Sequence, residues 1–185
     1  GLKVIAPATP HDAKGLLKSA IRDHNPVIFI EAQLLYSTKG EVGDGEYTIP
    51  IGQAEVKREG TDVTIVAYSK MLLVALDAAE QLSREGLDVE VIDPRTLKPL
   101  DLETIVTSVT KTGRLVIVEE GWRFCGLGAQ IAESIYSAAF DYLDAPIVRV
   151  TGEDVPIPYS RPLEDAAIPD VPRVVAAVKS LCGVA

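Results

Sequence analysis

One stretch of the sequence, residues 114–136, restricts the possible folds more than any other. A run of four apolar residues at 115–118 leads into Glu119 and Glu120, then a glycine-bearing turn, then a segment whose apolar residues recur with helical spacing. Apolar runs between charged residues are typical of strands covered on both faces, as in parallel sheets. The stretch therefore predicts a strand, a turn and a helix of an α/β protein. The predicted helical stripe consists of Ala129, Ala132, Ile135 and Ala139.

The same alternation continues along the whole chain. Short apolar runs predict strands at residues 3–6, 27–30, 63–67, 89–92, 115–118 and 147–150. Apolar residues at three- and four-residue spacing predict the helices, with Thr9 and Asp101 as N-terminal caps and Gly86 and Gly113 after helix ends. The strand at 27–30 is expected to be buried. The predicted fold class is α/β, a mostly parallel sheet flanked by helices.

The chain divides by composition. Residues 32–58 show no sustained helical spacing, and glycine and acidic residues are concentrated at 40–47, which is typical of a linker. We expect a partial α/β domain at 1–36, a linker at 37–59 with a short extended piece at 47–51, and an α/β domain at 60–185. The first part has only two predicted strands and one helix, and the chain opens without an initiator methionine or a signal sequence. We therefore expect a fragment of a longer polypeptide.

Composition excludes several classes of function. The formal net charge of −9 disfavours nucleic-acid binding, because neutralising phosphates requires a basic surface. No apolar run approaches the roughly 20 residues that cross a bilayer, and the 47% hydrophobic content supports a buried core. The cysteines, Cys125 and Cys182, and the two histidines lack the spacing of metal ligands. We expect a soluble, acidic, intracellular protein with neither nucleic acid nor membrane as a partner.

The first candidate site lies after the strand at 115–118, because ligands of α/β proteins bind at the carboxyl ends of strands. Gly126 and Gly128 match no phosphate-binding motif, so a tight, closely packed turn is favoured over a phosphate cradle. Glu119 and Glu120 point to opposite faces of a strand and make a poor acid–base pair, so we interpret them as solvated or interface carboxylates. Cys125 has no histidine near it in sequence and is interpreted as a packed, inert thiol.

Two further groups carry weaker signals. Asp93, Arg95 and Lys98 also follow a predicted strand end, but the neighbouring prolines favour a shaped connection with an internal Asp–Arg contact over a functional site. The aromatic pair Trp122 and Phe124 lies beside Arg123, and aromatic residues and arginine are enriched in interface cores. For the aromatic pair, burial in the core and exposure at an interface both stay open.

Four stretches are informative together: GLKVIAPATPHDAKGLLKSAIRDHNPVIFIE, VEVIDPRTLKPLDLETI, KTGRLVIVEEGWRFCGLGAQIAESI and FDYLDAPIVRVTGEDVPIPY. In this order and spacing they resemble the β subunits of the pyruvate dehydrogenase component of 2-oxo acid dehydrogenase complexes. The resemblance runs over essentially the whole chain. The EEGW and TGEDVPIPY segments are more similar to pyruvate-type than to branched-chain-type subunits.

The resemblance implies a fold and an activity. Residues 1–36 would be the end of a pyrimidine-binding domain and residues 60–185 a transketolase C-terminal domain. The parent enzyme would use thiamine diphosphate to decarboxylate pyruvate oxidatively and transfer the acetyl group to lipoyl groups. In the family the catalytic glutamate and histidine lie upstream, and the diphosphate and magnesium sites lie on the α subunit. We therefore expect no catalytic and no cofactor-binding residue in this chain, which would serve assembly and be inactive alone.

The end of the first predicted helix is a candidate cation site. It contains Ala20, Ile21, Asp23 and Asn25, and the last carbonyls of a helix lack intrahelical partners. From the residues alone, an ordinary capped helix end is favoured over a site for a hard monovalent cation. The resemblance favours the opposite, because in the family a potassium ion binds at this helix end with a further ligand from upstream.

The resemblance also implies partners. Asp144 matches the region where the acyltransferase docks, and we add Trp122 and Arg123 as candidate partner contacts. The expected partners are the α subunit, a second β subunit in a heterotetramer, and the dihydrolipoyl acetyltransferase core. The expected location is the cytoplasm in bacteria and the mitochondrial matrix or plastid stroma in eukaryotes. Two alternatives stay open: a branched-chain 2-oxo acid or acetoin dehydrogenase β subunit, and a stand-alone dimerising interaction module that docks a basic partner.

Overall fold

A computed structural model describes residues 1–184. In chain order the strands are β1 (Lys3–Ile5), β2 (Val27–Phe29), β3 (Glu55–Arg58), β4 (Val63–Ala67), β5 (Val89–Asp93), β6 (Thr96–Lys98), β7 (Leu115–Trp122) and β8 (Val148–Gly152). The helices are α1 (Pro10–Arg22), α2 (Lys70–Arg84), α3 (Leu102–Thr112), α4 (Leu127–Ala139), α5 (Arg161–Ala167) and α6 (Val171–Cys182). Short 3-10 turns lie at Gln33–Leu35 and Phe140–Tyr142. The predicted alternation of strands and helices is confirmed.

Five strands form the larger sheet, in the order β3-β5-β4-β7-β8. Its pairs β5–β4, β4–β7 and β7–β8 are parallel, whereas β3 is an antiparallel edge strand. From β4 the chain first crosses to β5 and then returns past β4 to β7, so the direction of winding reverses between β4 and β7. The carboxyl ends of these two strands are therefore the topological switch point of the sheet.

Helices cover both faces of the larger sheet. On one face α2 and α6 pack against side chains such as Ile65 of β4 and Val116 of β7. On the other face α3 and α4 pack against the alternate residues, such as Val66 and Ile117. Neighbouring side chains of a strand point to opposite faces, so a continuous apolar run serves two cores. The predicted fold class, a mostly parallel sheet flanked by helices, is confirmed.

Three strands form the smaller sheet, in the order β2-β1-β6. The parallel strands β1 and β2 are joined by α1, which Thr9 caps by accepting a hydrogen bond from the Asp12 amide. The third strand, β6, comes from the connection after β5 and pairs antiparallel with β1. The chain thus passes from the larger sheet into the smaller one and back.

Several elements differ from expectation. The prediction that the strand at 27–30 is buried is wrong. Ile28 in β2 is 45% exposed, and β2 is an edge strand of the smaller sheet. Strand β3 lies within residues 37–59, and residues 47–51 form no strand but pack on α1 beside Gly15. Helix α5 lies in the proline-rich stretch. The buried face of α4 contains Ile131, whereas Ala129 is exposed. The division into domains at 1–36, 37–59 and 60–185 stays a prediction.

Candidate functional site

The switch point of the larger sheet is occupied by the protein's own side chains. Glu119 extends from β7, Arg149 from β8, and Tyr68 follows β4. The Glu119 carboxylate is 1% exposed and accepts a hydrogen bond from Arg149 Nη2 at 2.7 Å. Its other oxygen, Oε2, accepts a hydrogen bond from the Gly128 N–H at 3.0 Å.

The two glycines of the turn make this arrangement possible. A Cβ atom on Gly128 would lie 2.4 Å from Glu119 Oε1, and one on Gly126 would lie 2.5 Å from the Trp122 carbonyl oxygen. The predicted tight, closely packed turn is therefore confirmed. The N-terminal end of a helix can bind an anion, and at α4 this position is occupied by the Glu119 carboxylate.

Tyr68 completes the filled switch point. Burial and the neighbouring Glu119 carboxylate raise the pKa of the Tyr68 phenol far above its ordinary value. The phenol is therefore neutral in the physiological pH range and is poorly suited to act as a general base. The Glu119–Arg149 ion pair and the neutral phenol therefore fill the carboxyl ends of β4 and β7.

The two adjacent glutamates have different environments. The prediction that Glu119 is a solvated carboxylate is wrong, because Glu119 is buried and paired with Arg149. Glu120 lies on the other face, exposed, with its carboxylate 3.6 Å from the Lys70 ammonium. The prediction that they do not form an acid–base pair agrees with this geometry.

A second buried cluster joins the two sheets, and the sequence predicted only part of it. The Arg95 guanidinium contacts Asp12 Oδ1 at 3.0 Å and Glu55 Oε2 at 2.9 Å. Lys57 also pairs with Asp12, whose Oδ2 lies 2.6 Å from the ammonium. Burial alone would raise the pKa of Asp12, but the hydrogen bonds, that from Lys57 foremost, outweigh it and lower the pKa.

Asp93 is the third carboxylate of this cluster. The predicted Asp–Arg contact exists, but through the Arg95 backbone N–H, which donates to Asp93 Oδ1 at 2.9 Å. Asp93 Oδ2 is buried without a hydrogen-bond partner, and burial raises the pKa of Asp93 to about 7. Lys98 lies outside the cluster, on the exposed part of β6. The favoured interpretation, a structural connection, fits this arrangement.

Sequence reasoning missed the role of Asp12 because its partner Arg95 lies 83 residues away. The only local sign at Asp12 is the capping pattern with Thr9. Arg95 has a backbone φ of +54°, which is uncommon for a residue with a side chain. Such a conformation is maintained only when the surrounding contacts determine it, as the cluster does here.

At the end of α1, the residues of the predicted potassium site are close together. The Asp23 carboxylate is paired with Lys3, and its Oδ1 accepts hydrogen bonds from Asn25. The hydrogen bond from Lys3, followed by those from Asn25, lowers the pKa of Asp23 to about 2. The Ala20 carbonyl accepts from the Asp23 N–H at 3.3 Å. The Asp23 carboxylate is thus bonded to Lys3 and Asn25 in this structure. Potassium binding through Ala20, Ile21, Asp23 and Asn25 stays a prediction.

The predicted partner contacts do not form one surface. Trp122 is 49% exposed at the carboxyl end of β7, and Arg123 beside it donates to the Arg149 carbonyl at 3.3 Å. Asp144 is exposed at the opposite end of the sheet, where its amide donates to the Gly113 carbonyl at 2.8 Å. These contacts with partners stay predictions.

The environment of Cys125 differs from the one predicted from the sequence. It is exposed, with a backbone φ of +56°, and is not the packed thiol that was expected. The turn before α4 directs the Cys125 side chain outward because the interior of the turn is filled by Glu119.

In residues 1–184, no three acidic, histidine or cysteine side chains are grouped as a metal site requires. Over the same residues, no helix is long and apolar enough to span a membrane.

Comparison with known proteins agrees with this fold. Residues 52–174 match the family described as transketolase, C-terminal domain. The chain therefore belongs to the transketolase C-terminal domain family.

Its similarity extends further, to particular subunits. The chain is 54% identical, over 98% of its length, to the protein of Rickettsia felis named pyruvate dehydrogenase E1 component subunit beta. It is 52% identical, over 97% of its length, to the mitochondrial pyruvate dehydrogenase E1 component subunit beta of Dictyostelium discoideum. The resemblance seen in the sequence is thereby confirmed. The chain spans 56% and 51% of these two proteins, about half the length of the curated relatives it matches.

A solved structure supports the fold over the whole chain. The protein titled split gene transketolase, inactive beta4 tetramer superimposes with a TM-score of 0.82 at 32% sequence identity. The match covers 99% of this chain and 58% of that one. The smaller sheet is therefore part of the same shared fold as the larger one.

Proposed function

We propose that this chain acts as part of a pyruvate dehydrogenase β subunit. The observation that carries the proposal is identity above one half with such subunits over nearly the whole chain. The complete enzyme would decarboxylate pyruvate oxidatively with thiamine diphosphate and transfer the acetyl group to lipoyl groups of an acyltransferase. Pyruvate is proposed rather than a branched-chain acid or acetoin because the relatives compared above are named for pyruvate.

The proposed role of these residues is assembly. The switch point, where α/β proteins bind ligands, is closed by the Glu119–Arg149 pair. Thiamine diphosphate would supply the carbanion chemistry of the enzyme, and the chain's own residues would build the surfaces that hold the catalytic parts together. Magnesium and the diphosphate would be bound by the α subunit.

The smaller sheet supports this role. Large apolar side chains are exposed on or beside it: Leu2, Leu17, Ile21, Ile28, Ile30, Leu34 and Tyr36. So many exposed large apolar side chains on and beside one small sheet support contacts with other segments or subunits. We propose that they contact the rest of the β subunit and, beyond it, the α subunit, while a second β subunit and the acyltransferase core contact the larger domain.

Reconstitution tests the proposal. The chain would be combined with thiamine diphosphate, magnesium and pyruvate, first alone, then with an α subunit, and then with an α subunit and the upstream half of a β subunit. We expect decarboxylation only in the third mixture. Activity of the chain alone, or silence of a third mixture in which all parts co-elute, would contradict the proposal.

A dimerising interaction module is the second candidate, favoured by the exposure of Trp122 and Phe124 on either side of Arg123. Exposed aromatic residues beside arginine are typical of interface centres. If this surface joins two copies, Trp122→Ala shifts a dimer toward monomer in sedimentation velocity. An unchanged sedimentation profile would contradict the dimerising module and leave the pyruvate dehydrogenase β subunit as the remaining candidate.

A further inference from the structure

An acidic, glycine-rich segment, residues 40–46, lies along a row of positive charges on α1. It has the sequence GEVGDGE and forms neither helix nor strand. The positive charges belong to Lys14, Lys18 and Arg22, which are four residues apart and therefore lie on one face of the helix. Residues 40–46 are termed the strap, and these three side chains the basic stripe.

Glu46 fastens the strap to the basic stripe. Its Oε2 lies 3.0 Å from the Lys18 ammonium, and its Oε1 pairs with the Arg22 guanidinium. The hydrogen bond from Lys18, followed by that from Arg22, lowers the pKa of Glu46, so the carboxylate is charged at neutral pH. The third cation, Lys14, donates to the Gly43 carbonyl oxygen. All three positive side chains of the stripe are thus bound by the strap.

The strap leads directly into an apolar anchor, which consists of Tyr47 and Ile49. The Ile49 side chain is 7% exposed and packs so closely on Gly15 that a Cβ atom there would lie 2.7 Å from Ile49 Cγ1. The Tyr47 ring stacks on the His11 ring with 4.6 Å between the centroids, and its hydroxyl donates to the His11 carbonyl at 3.0 Å. The anchor is therefore held by packing and does not need the charges of the strap.

The strap and the anchor respond differently to salt. The Glu46 side chain is 61% exposed, and exposed ion pairs contribute little to stability and are screened by salt. The burial of Ile49 is an apolar contact, which added salt does not weaken in this way. Segments with few buried contacts open locally without unfolding the rest of a protein. The strap can therefore detach from α1 while the anchor stays in place.

We propose that residues 40–46 are an electrostatically held strap, which opens while Tyr47 and Ile49 stay bound and thereby uncovers the basic stripe of α1. In the closed strap, Glu46 and the Gly43 carbonyl bind the cations of the stripe. Opening of the strap turns this face of α1 into a positively charged surface on a chain whose net charge is −9. The strap thus controls whether the chain presents that surface.

Glu46→Gln tests the proposal in the full chain, because it removes the charge that fastens the strap and leaves the anchor unchanged. The reporter is Lys14, which contacts the strap at the Gly43 carbonyl oxygen. Brief treatment with acetic anhydride and peptide mass spectrometry measure its reactivity relative to exposed Lys98. We expect Lys14 to react about threefold faster in Glu46→Gln, which is the size of change that the loss of exposed ion pairs allows. The matched control, Glu41→Gln, removes a charge from an exposed position of the same strap and should leave the rate unchanged.

Backbone order parameters from NMR distinguish opening of the strap from wider unfolding. In the native chain at low salt, the Gly43 and Gly45 amides should be ordered, with values near 0.8. In Glu46→Gln these values should fall below about 0.6, while the Ile49 amide stays near 0.85. The native chain at about 1 M salt, where charges are screened within about 3 Å, should behave like the variant.

Four results would overturn the proposal. They are a strap that is already disordered in the native chain at low salt, loss of order at Ile49 together with the strap, equal acetylation of Lys14 in Glu46→Gln and the native chain, and the same acceleration in Glu41→Gln.

Discussion

The two sheets of this protein are built from the same kinds of segments but are covered very differently. In the larger sheet, all five residues of β4 and of β5 are buried, because helices pack on both faces. In the smaller sheet, β2 has no buried residue, and Ile28 at its centre is exposed. Apolar strands of similar sequence therefore have opposite environments within one chain.

The difference teaches that the larger sheet has its own core, whereas the smaller one depends on what surrounds it. The smaller sheet has a small cluster of its own, centred on Ile5, Leu16 and Ile49. The larger sheet has two clusters that extend over its whole length. The smaller sheet is attached to the larger one through β6 and through the pairing of Asp12 with Arg95.

The largest contrast is expected from one substitution made in each sheet. Ile65→Ala in β4 removes a side chain that is 0% exposed and should destabilise the protein by about 2–5 kcal/mol, through lost burial and a cavity. Ile28→Ala in β2 should cost less than about 1 kcal/mol because the side chain is already in contact with water. Urea unfolding of both variants measures the difference. Equal losses would show that Ile28 is as well covered as Ile65 and would remove the contrast between the two sheets.

The second largest effect is expected from a substitution in the buried charged cluster that joins the two sheets. Arg95→Met leaves the buried Asp12 with Lys57 as its remaining cation, and should destabilise the protein by about 3 kcal/mol. The control is Arg84→Met, which breaks an exposed pair with Glu80 and should cost about 0.5 kcal/mol or less.

Hydrogen exchange shows where the effect of Arg95→Met acts. Faster amide exchange is expected in β1 and β2, with little change in β4. If exchange rises evenly in both sheets, the contact stabilises the whole chain and does not join two separable parts.

The smallest expected effect is a change of stability with pH that comes from the Asp93 carboxyl. Its pKa is raised from the ordinary 3.8 to about 7, first of all by burial. The folded state therefore holds a proton more strongly than the unfolded state. The stability from the neutral carboxyl is complete below about pH 4 and is lost as the pH rises through about 7.

Asp93→Asn imitates the neutral form. Its stability relative to the native chain should rise by on the order of 2 kcal/mol between pH 5 and pH 8, because the native carboxyl loses its proton in the folded state over that range. Urea unfolding at both pH values measures this, with exposed Asp77→Asn as the control. A variant that follows the native chain at both pH values would show that the Asp93 carboxyl does not titrate in this range.

Local patterns predicted those elements whose structure depends on nearby residues. The Thr9 and Asp101 caps are correct because each side chain bonds an amide three residues ahead. Gly113 has a left-handed conformation after α3, as its position after the helix predicted. Strands β3 and β6 were not predicted, because short polar strands such as EVKR and TLK become strands only through pairing with distant partners.

The sequence by itself determined the alternation of strands and helices, the caps and the family, because spacing and local hydrogen bonds carry that information. Only the tertiary structure decided which charged groups are buried. Glu119 and Glu120 are neighbours of the same type, yet one pairs with Arg149 inside the protein and the other lies at the surface. The physical reason is that burial of a charge depends on partners which the fold brings from elsewhere in the chain. Arg149 is 30 residues from Glu119, and Arg95 is 83 residues from Asp12.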